Sequence, residues 1–259
     1  MHQVASEAIV LSVMDYGEAD RIATLFTREH GKVRALARNA RMSRRRFGGA
    51  LEPFARLQVR IGLRDDRLST LHDADIVTLH PAIRRDLATM ALAGYACELC
   101  DRFLPDHLAN PRLFRLLATC LSHLESAPYE HSDLRFFEIN LLNILGYRPS
   151  LDHCTHCGVG LSPASSAKYA ASASGLLCSQ CGGEGWISGE TVMLLRKSLE
   201  TGRLGVVRFS AHQAAEAGRL LDIAISAHLD RPLKSLGFLR EMTEEPFLSQ
   251  PFVKPSAPH

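Results

Sequence analysis

Ala8-Ile-Val-Leu-Ser-Val13, Arg21-Ile-Ala-Thr-Leu-Phe-Thr27 and Lys32-Val-Arg-Ala-Leu-Ala37 are three short runs rich in β-branched and other apolar residues, each too brief for an ordinary helix. His30-Gly31 supplies the turn between the last two. Downstream, Phe54 to Gly62 alternates apolar with polar side chains, and Leu68 to Leu79 is a fifth run before Pro81. A period of two turns one face of each strand to a core and the other to water. Five short strands in about 80 residues predict a small closed barrel of the OB type over residues 1–80.

After Pro81 the spacing of apolar residues changes to threes and fours, the mark of helices, over Ile83–Leu104, Pro111–Ser126 and Asp133–Leu145. Asn110-Pro111 offers the second helix a cap followed by proline at its first position, Ser132 is placed to cap the third, and Gly146 ends it. Glu190–Glu200 and Ala211–Leu229 read as two further helices. The expected fold class is thus α+β and multidomain: an N-terminal OB-fold β-barrel, then an α-helical domain (81–149 and 189–245) containing a four-cysteine zinc-finger module (150–188). The Ser/Ala-rich stretch Ser162–Ser174 is a loop or hairpin inside that module, and residues 246–259, with four prolines, form a disordered tail.

With 259 residues, 46% of them hydrophobic, the chain has ample material for packed cores. Met1–Met14 has no basic region ahead of its apolar run Ala8–Leu11, so no secretion signal is expected. The best apolar stretch, Met90–Cys97, falls well short of the roughly 18 residues a bilayer needs. Seven cysteines, four of them in two CxxC pairs, suit metal ligation better than disulfides and point to a reducing cytoplasm.

The most specific motif is Cys154-Thr-His-Cys157-Gly158 followed, after 20 intervening residues, by Cys178-Ser-Gln-Cys181-Gly182. Two residues between cysteines let both thiolates of a knuckle face one metal, and glycine permits the tight turn beyond. Cys154, Cys157, Cys178 and Cys181 are therefore assigned one structural Zn2+ with a closed coordination sphere and no catalysis. His153 and His156 are adjacent spare donors. Cys97, Cys100 and Cys120 lie on apolar helices and are read as core residues.

Charge is near balanced overall, +2, but Arg21 to Arg67 holds thirteen Lys/Arg against four acidic residues, a local excess of nine. Within it Arg34, Arg38, Arg41, Arg44, Arg45 and Arg46 run from a strand into the loop Asn39–Gly49, with no acidic residue between Glu29 and Glu52. Such a run is either a solvated surface or a phosphate-binding face, and the missing acids favour the second. Phe47 and Phe54 are candidates for stacking on bases or for the core. No Walker A loop, GxGxxG or GxSxG occurs. Alternation separates His72 from Asp73 and Asp75, which argues against a nuclease metal site.

Several short stretches, in order, resemble the bacterial recombination mediator family RecO: Ala8-Ile-Val-Leu11, Gly17-Glu-Ala-Asp20, Leu25-Phe-Thr27, Gly31-Lys-Val-Arg34, Gly49-Ala-Leu-Glu-Pro-Phe54, Arg135-Phe-Phe-Glu138, Leu145-Gly-Tyr147, the cysteine pairs and Pro232-Leu-Lys-Ser235. The resemblance implies a non-enzymatic, nucleoid-associated cytoplasmic protein of DNA repair and recombination in the RecF pathway. It would bind single- and double-stranded DNA, anneal complementary strands and, with RecR, help load RecA onto DNA coated by single-strand binding protein. It further implies that the helical domain receives the acidic tail of single-strand binding protein, with Arg135 at a position similar to a basic residue used for it. Arg135 is expected at the edge of a groove, the competing arrangement being an ion pair with Asp133 or Glu138. Two other functions stay open: an RNA-binding OB/zinc protein and a metal-dependent nuclease.

Overall fold

In the computed structural model, which describes residues 2–64, 68–162 and 165–243 and only the backbone of Arg44, Arg45 and Thr243, the expected runs become strands. These are β1 (His2–Tyr16), β2 (Asp20–Thr27), β3 (Gly31–Ala37), β4 (Arg56–Leu63) and β5 (Ser69–Thr78), closed into a barrel in the order β1-β2-β3-β5-β4. All neighbours are antiparallel except β3 and β5. β1 is longer than its apolar run because it pairs with β4 along one half and with β2 along the other, and a register shift between Val10 and Ser12 lets it bend. Val10, Leu25, Val33, Leu57, Val59 and Ile61 fill the inside.

Between β3 and β4 the chain forms one helical turn, α1 (Arg44–Phe47), where a plain loop was expected; Ser43 caps it by accepting from Arg46 N at 3.4 Å. Phe47 is driven by that turn into the barrel core, beside Ala50 and Leu51.

Ile9 and Phe26 lie on the opposite face of their strands from the barrel core, yet both are fully buried. They are covered by α2 (Leu87–Phe103) and α3 (Pro111–Ser126); the rings of Phe26 and Phe114 meet edge-on, 5.4 Å apart at 72°. Gly31, at φ +67°, packs so closely that a Cβ there would sit 2.2 Å from Leu108 O. Beside it Lys32 Nζ donates to Asp101 O at 2.7 Å and pairs with Asp101 and Asp106 at 3.5 and 3.4 Å. The Glu98 carboxylate on α2 accepts from the backbone N–H groups of Lys234 (3.0 Å) and Ser235 (2.7 Å), which gives the Pro232-Leu-Lys-Ser235 stretch its role. α2 and α3 thus join the barrel in one compact unit, Met1–Pro128 with Leu233–Leu236, whereas the sequence reading grouped them with the later helices.

α2 begins later than its apolar spacing suggests: Pro81–Arg85 is a 3₁₀ turn, after which Asp86 caps Leu87 onward by accepting from Thr89 N at 2.7 Å. Asn110 caps α3 as expected, accepting from Leu113 N at 3.0 Å.

The second unit, Tyr129–Pro232 with the described residues 237–243, packs α4 (His131–Leu145), α5 (Gly189–Thr201) and α6 (Ala211–Ser226) around Phe137, Leu141, Leu195 and Leu221. Ser132 is not the cap of α4. It lies inside the first turn, and its hydroxyl accepts from Phe209 N at 2.9 Å instead. A small sheet, β6 (Ala167–Tyr169), β7 (Leu176–Leu177) and β8 (Gly185–Ile187) in the order β7-β6-β8, organises the cysteine region. A last helix, α7 (Ser235–Thr243), adds to the expected set, and the tail from 246 lies outside the described residues.

Candidate nucleic-acid interface and metal centre

Arg34 sits on β3 between Val33 and Ala35, both fully buried, so alternation turns it out of the barrel; Arg38, Arg41 and Arg46 are exposed as well. The turn that carries them is held to the β1–β2 hairpin. Arg41 N donates to Ala19 O and its Nη1 to Glu18 O, each at 3.1 Å, while the Asp20 carboxylate accepts from Asn39 N at 2.7 Å. Gly17 makes this hairpin possible at φ +63°. Arg46 Nη2 donates to Arg38 O at 2.7 Å, and its guanidinium lies 5.1 Å from the Phe47 ring centre.

Several neighbouring basic residues already have carboxylate partners. Arg21 pairs with Asp15 (3.1 Å), Arg28 with Glu7 (3.5 Å) and Arg84 with Glu52 (3.0 Å), and Arg56 and Arg60 are bound to Glu7 and Asp73. Among the described residues no carboxylate pairs with Arg34, Arg38, Arg41 or Arg46. The side chains of Arg44 and Arg45 fall outside the description. An uncompensated positive face on a barrel is suited to phosphates.

Phe47 and Phe54 are not part of that face: both are core residues, 2% and 7% exposed. Exposed apolar side chains nearby on the chain are instead Met14 and Tyr16, at the end of β1, and Met42.

Asp73 accepts from Arg60 Nε at 2.8 and 3.0 Å, so it is held as an ion-pair partner. Among the described residues the only group of three or more potential ligands able to hold a metal ion is Cys154, Cys157, Cys178 and Cys181, whose sulfurs all lie within 4.8 Å of one another. Cys157 Sγ and Cys178 Sγ are 3.8 Å apart, about the edge of a tetrahedron with metal–sulfur bonds of roughly 2.3 Å. The knuckles turn at Gly158 (φ +76°) and Gly182 (φ +84°), and Thr155 N donates to Leu176 O at 2.9 Å, tying one knuckle to β7. Backbone N–H groups, first that of Cys157, pull the Cys154 thiol down to about 6. Cys181, hydrogen-bonded to Cys178 and Cys157, is pushed up to about 12. Four clustered thiols ionise together only around a cation, which is what this donor set fits.

The third CxxC differs. Cys97, Cys100 and Cys120 are buried, and burial first, then Asp101, pushes the Cys97 thiol up to about 12, so it is an inert core thiol.

Arg135 does not stand at a groove edge. It is 1% exposed, with Nη1 2.7 Å from Glu138 Oε2, itself 1% exposed. A Cβ at Gly218 on α6 would lie 2.8 Å from Arg135 Cζ, so the guanidinium rests on the bare backbone of that helix. Every residue of α4 from Ser132 to Leu142 is buried, and α5 and α6 pack against this helix.

Among the described residues no helix is long and apolar enough to cross a membrane. The sequence profile described as Recombination protein O N terminal matches residues 1–80, and that described as Recombination protein O C terminal matches residues 84–237. The chain is 57% identical to DNA repair protein RecO of Geobacter sulfurreducens, over 94% of this chain and 100% of that protein. Against DNA repair protein RecO of Geobacter metallireducens it is 54% identical over 93% and 99%, and against that of Myxococcus xanthus 38% over 93% and 99%. The first profile covers the OB-type barrel and the second the helices and the four-cysteine cluster, and with these matches over nearly its whole length the chain belongs to the RecO family of DNA repair proteins.

Proposed function

We propose that this protein is a non-enzymatic DNA-binding adaptor of homologous recombination in the RecF pathway, acting in the bacterial cytoplasm at the nucleoid. The observation that carries this reading is the set of exposed arginines, Arg34, Arg38, Arg41 and Arg46, for which no carboxylate partner exists among the described residues. Arg44 and Arg45 continue the same run in the sequence. Phosphate contacts of this kind carry no base information, so the face serves single and double strands of any sequence. By neutralising two backbones it lowers the repulsion between complementary strands and so promotes annealing. Zn2+ is the metal that a closed set of four thiolates fits best, one per chain, with a purely structural role. RecR, single-strand binding protein and, through them, RecA are the protein partners the family implies.

The direct test is annealing of complementary strands coated with single-strand binding protein, with magnesium and without it. Annealing without cleavage in both buffers, lost in Arg34→Ala/Arg38→Ala/Arg41→Ala, is the expected result. Magnesium-dependent cleavage would favour the nuclease reading, and a strong preference for RNA of the same sequence would favour the RNA-binding one.

A further inference from the structure

Trp186 is the only tryptophan of the chain, and it is 54% exposed on β8. An indole left in water on a strand of three residues is a poor use of the largest apolar side chain, unless something covers it. Its surroundings are built rather than loose. Across the sheet it pairs with Lys168 of β6, whose ammonium lies 4.8 Å from the ring centre and also donates to Ser179 O, inside the second cysteine knuckle, at 3.3 Å. The strand is fixed from the other side too: the Tyr169 ring lies directly against Gly185, where a Cβ would come within 2.2 Å of it. Gly183, at φ +130°, lets the chain pass the Lys168 side chain at a distance where a Cβ would stand 2.6 Å from Lys168 Cβ.

A flat π-face beside a fixed ammonium is the pairing that a nucleotide presents in reverse, base and phosphate. We propose that Trp186 and Lys168 form a second contact for single-stranded DNA, in which an unpaired base stacks on the open side of the indole and the adjacent phosphate meets the ammonium. The metal knuckle is the support of this platform, since Lys168 is anchored to Ser179 between two ligands. The inference rests on the reading of the protein as a DNA-binding adaptor, but it assigns a site outside the barrel that the arginines do not explain.

Being the sole indole, Trp186 reports on itself. The full-length, metal-loaded protein is titrated with a labelled oligothymidylate while strand anisotropy and intrinsic emission are read together, and again with an abasic oligomer of equal length. The expected result is quenching that saturates with the anisotropy for the base-bearing strand and is absent for the abasic one. Trp186→Leu should weaken binding roughly five- to hundredfold, with Trp186→Phe close to the parent. Anisotropy that saturates while emission stays constant, or quenching equal for both strands, overturns the stacking site and leaves the arginine face standing. No rise in anisotropy at all overturns both.

Discussion

Arg34 and Arg135 are the same side chain in two regions of the molecule, and the two regions use it in opposite ways. On the barrel, Arg34 projects from a strand whose alternate residues are buried, and its charge is left for solvent or a ligand. In the helical unit, Arg135 is enclosed, its charge matched by Glu138 at 2.7 Å and its plane laid on Gly218. Each lies next to strongly apolar neighbours in sequence, so the neighbours do not distinguish them. What does is how far the face each one occupies is covered: on the outer side of β3 Lys32 is held to Asp101 and Asp106 while Arg34 stays exposed, whereas every residue of α4 from Ser132 to Leu142 is buried. An exposed arginine is available for function; an enclosed one is a stability element whose removal breaks a buried ion pair.

The comparison is broken first by metal removal, the largest effect expected. Chelation or Cys178→Ser should remove the proposed zinc and unfold residues 150–188, because metal binding and folding of such a module are one equilibrium. Metal analysis of reduced, chelator-free protein checks it, and a content near zero contradicts it. DNA binding by the barrel arginines should survive.

Arg135→Ala comes next. Breaking its enclosed ion pair with Glu138 should destabilise the helical unit by about 3–5 kcal/mol. Trp186 emission in urea follows that unit alone. Gly218→Ala, which thrusts a Cβ at the guanidinium, should shift the same transition by about 1–3 kcal/mol. A shift below about 1 kcal/mol for Arg135→Ala would mean that the residue is not the enclosed pair described.

The smallest effect is a pH dependence. Burial works to raise the Glu216 carboxyl, but the hydroxyls of Ser188 and Thr191 and the backbone N–H of Ser188 hold it below its ordinary 4.5. Since the folded value is the lower one, its stabilisation is complete above 4.5 and fades as pH falls through the folded value. The parent's urea midpoint, read by Trp186, should therefore fall more steeply below pH 4.5 than that of Glu216→Gln. Parallel curves would show that the carboxylate does not cap the start of α5 in solution.

The barrel was legible because a period of two is written into β3 and β4, and the four-cysteine cluster because CxxC spacing has few other uses. α1 was not, since Arg44-Arg-Arg-Phe47 is too short to carry a period. The same holds for β6, β7 and β8, of two or three residues each. Helix periodicity shows that α2 and α3 bury a face but not against what, and the answer, Ile9 and Phe26 on the outside of the barrel, required the third dimension. Arg135 was misplaced for the same reason: Gly218, 83 positions later, is the residue that admits its guanidinium.

The central claim is that the barrel arginines meet DNA phosphates, and salt dependence measures it most directly. Each single-strand phosphate contact contributes about 0.7 to the slope of log affinity against log salt. Arg34→Ala/Arg38→Ala/Arg41→Ala should therefore flatten that slope by about 2, to a similar degree for every DNA sequence tried. A slope unchanged from the parent would return these arginines to a merely solvated surface and contradict the account.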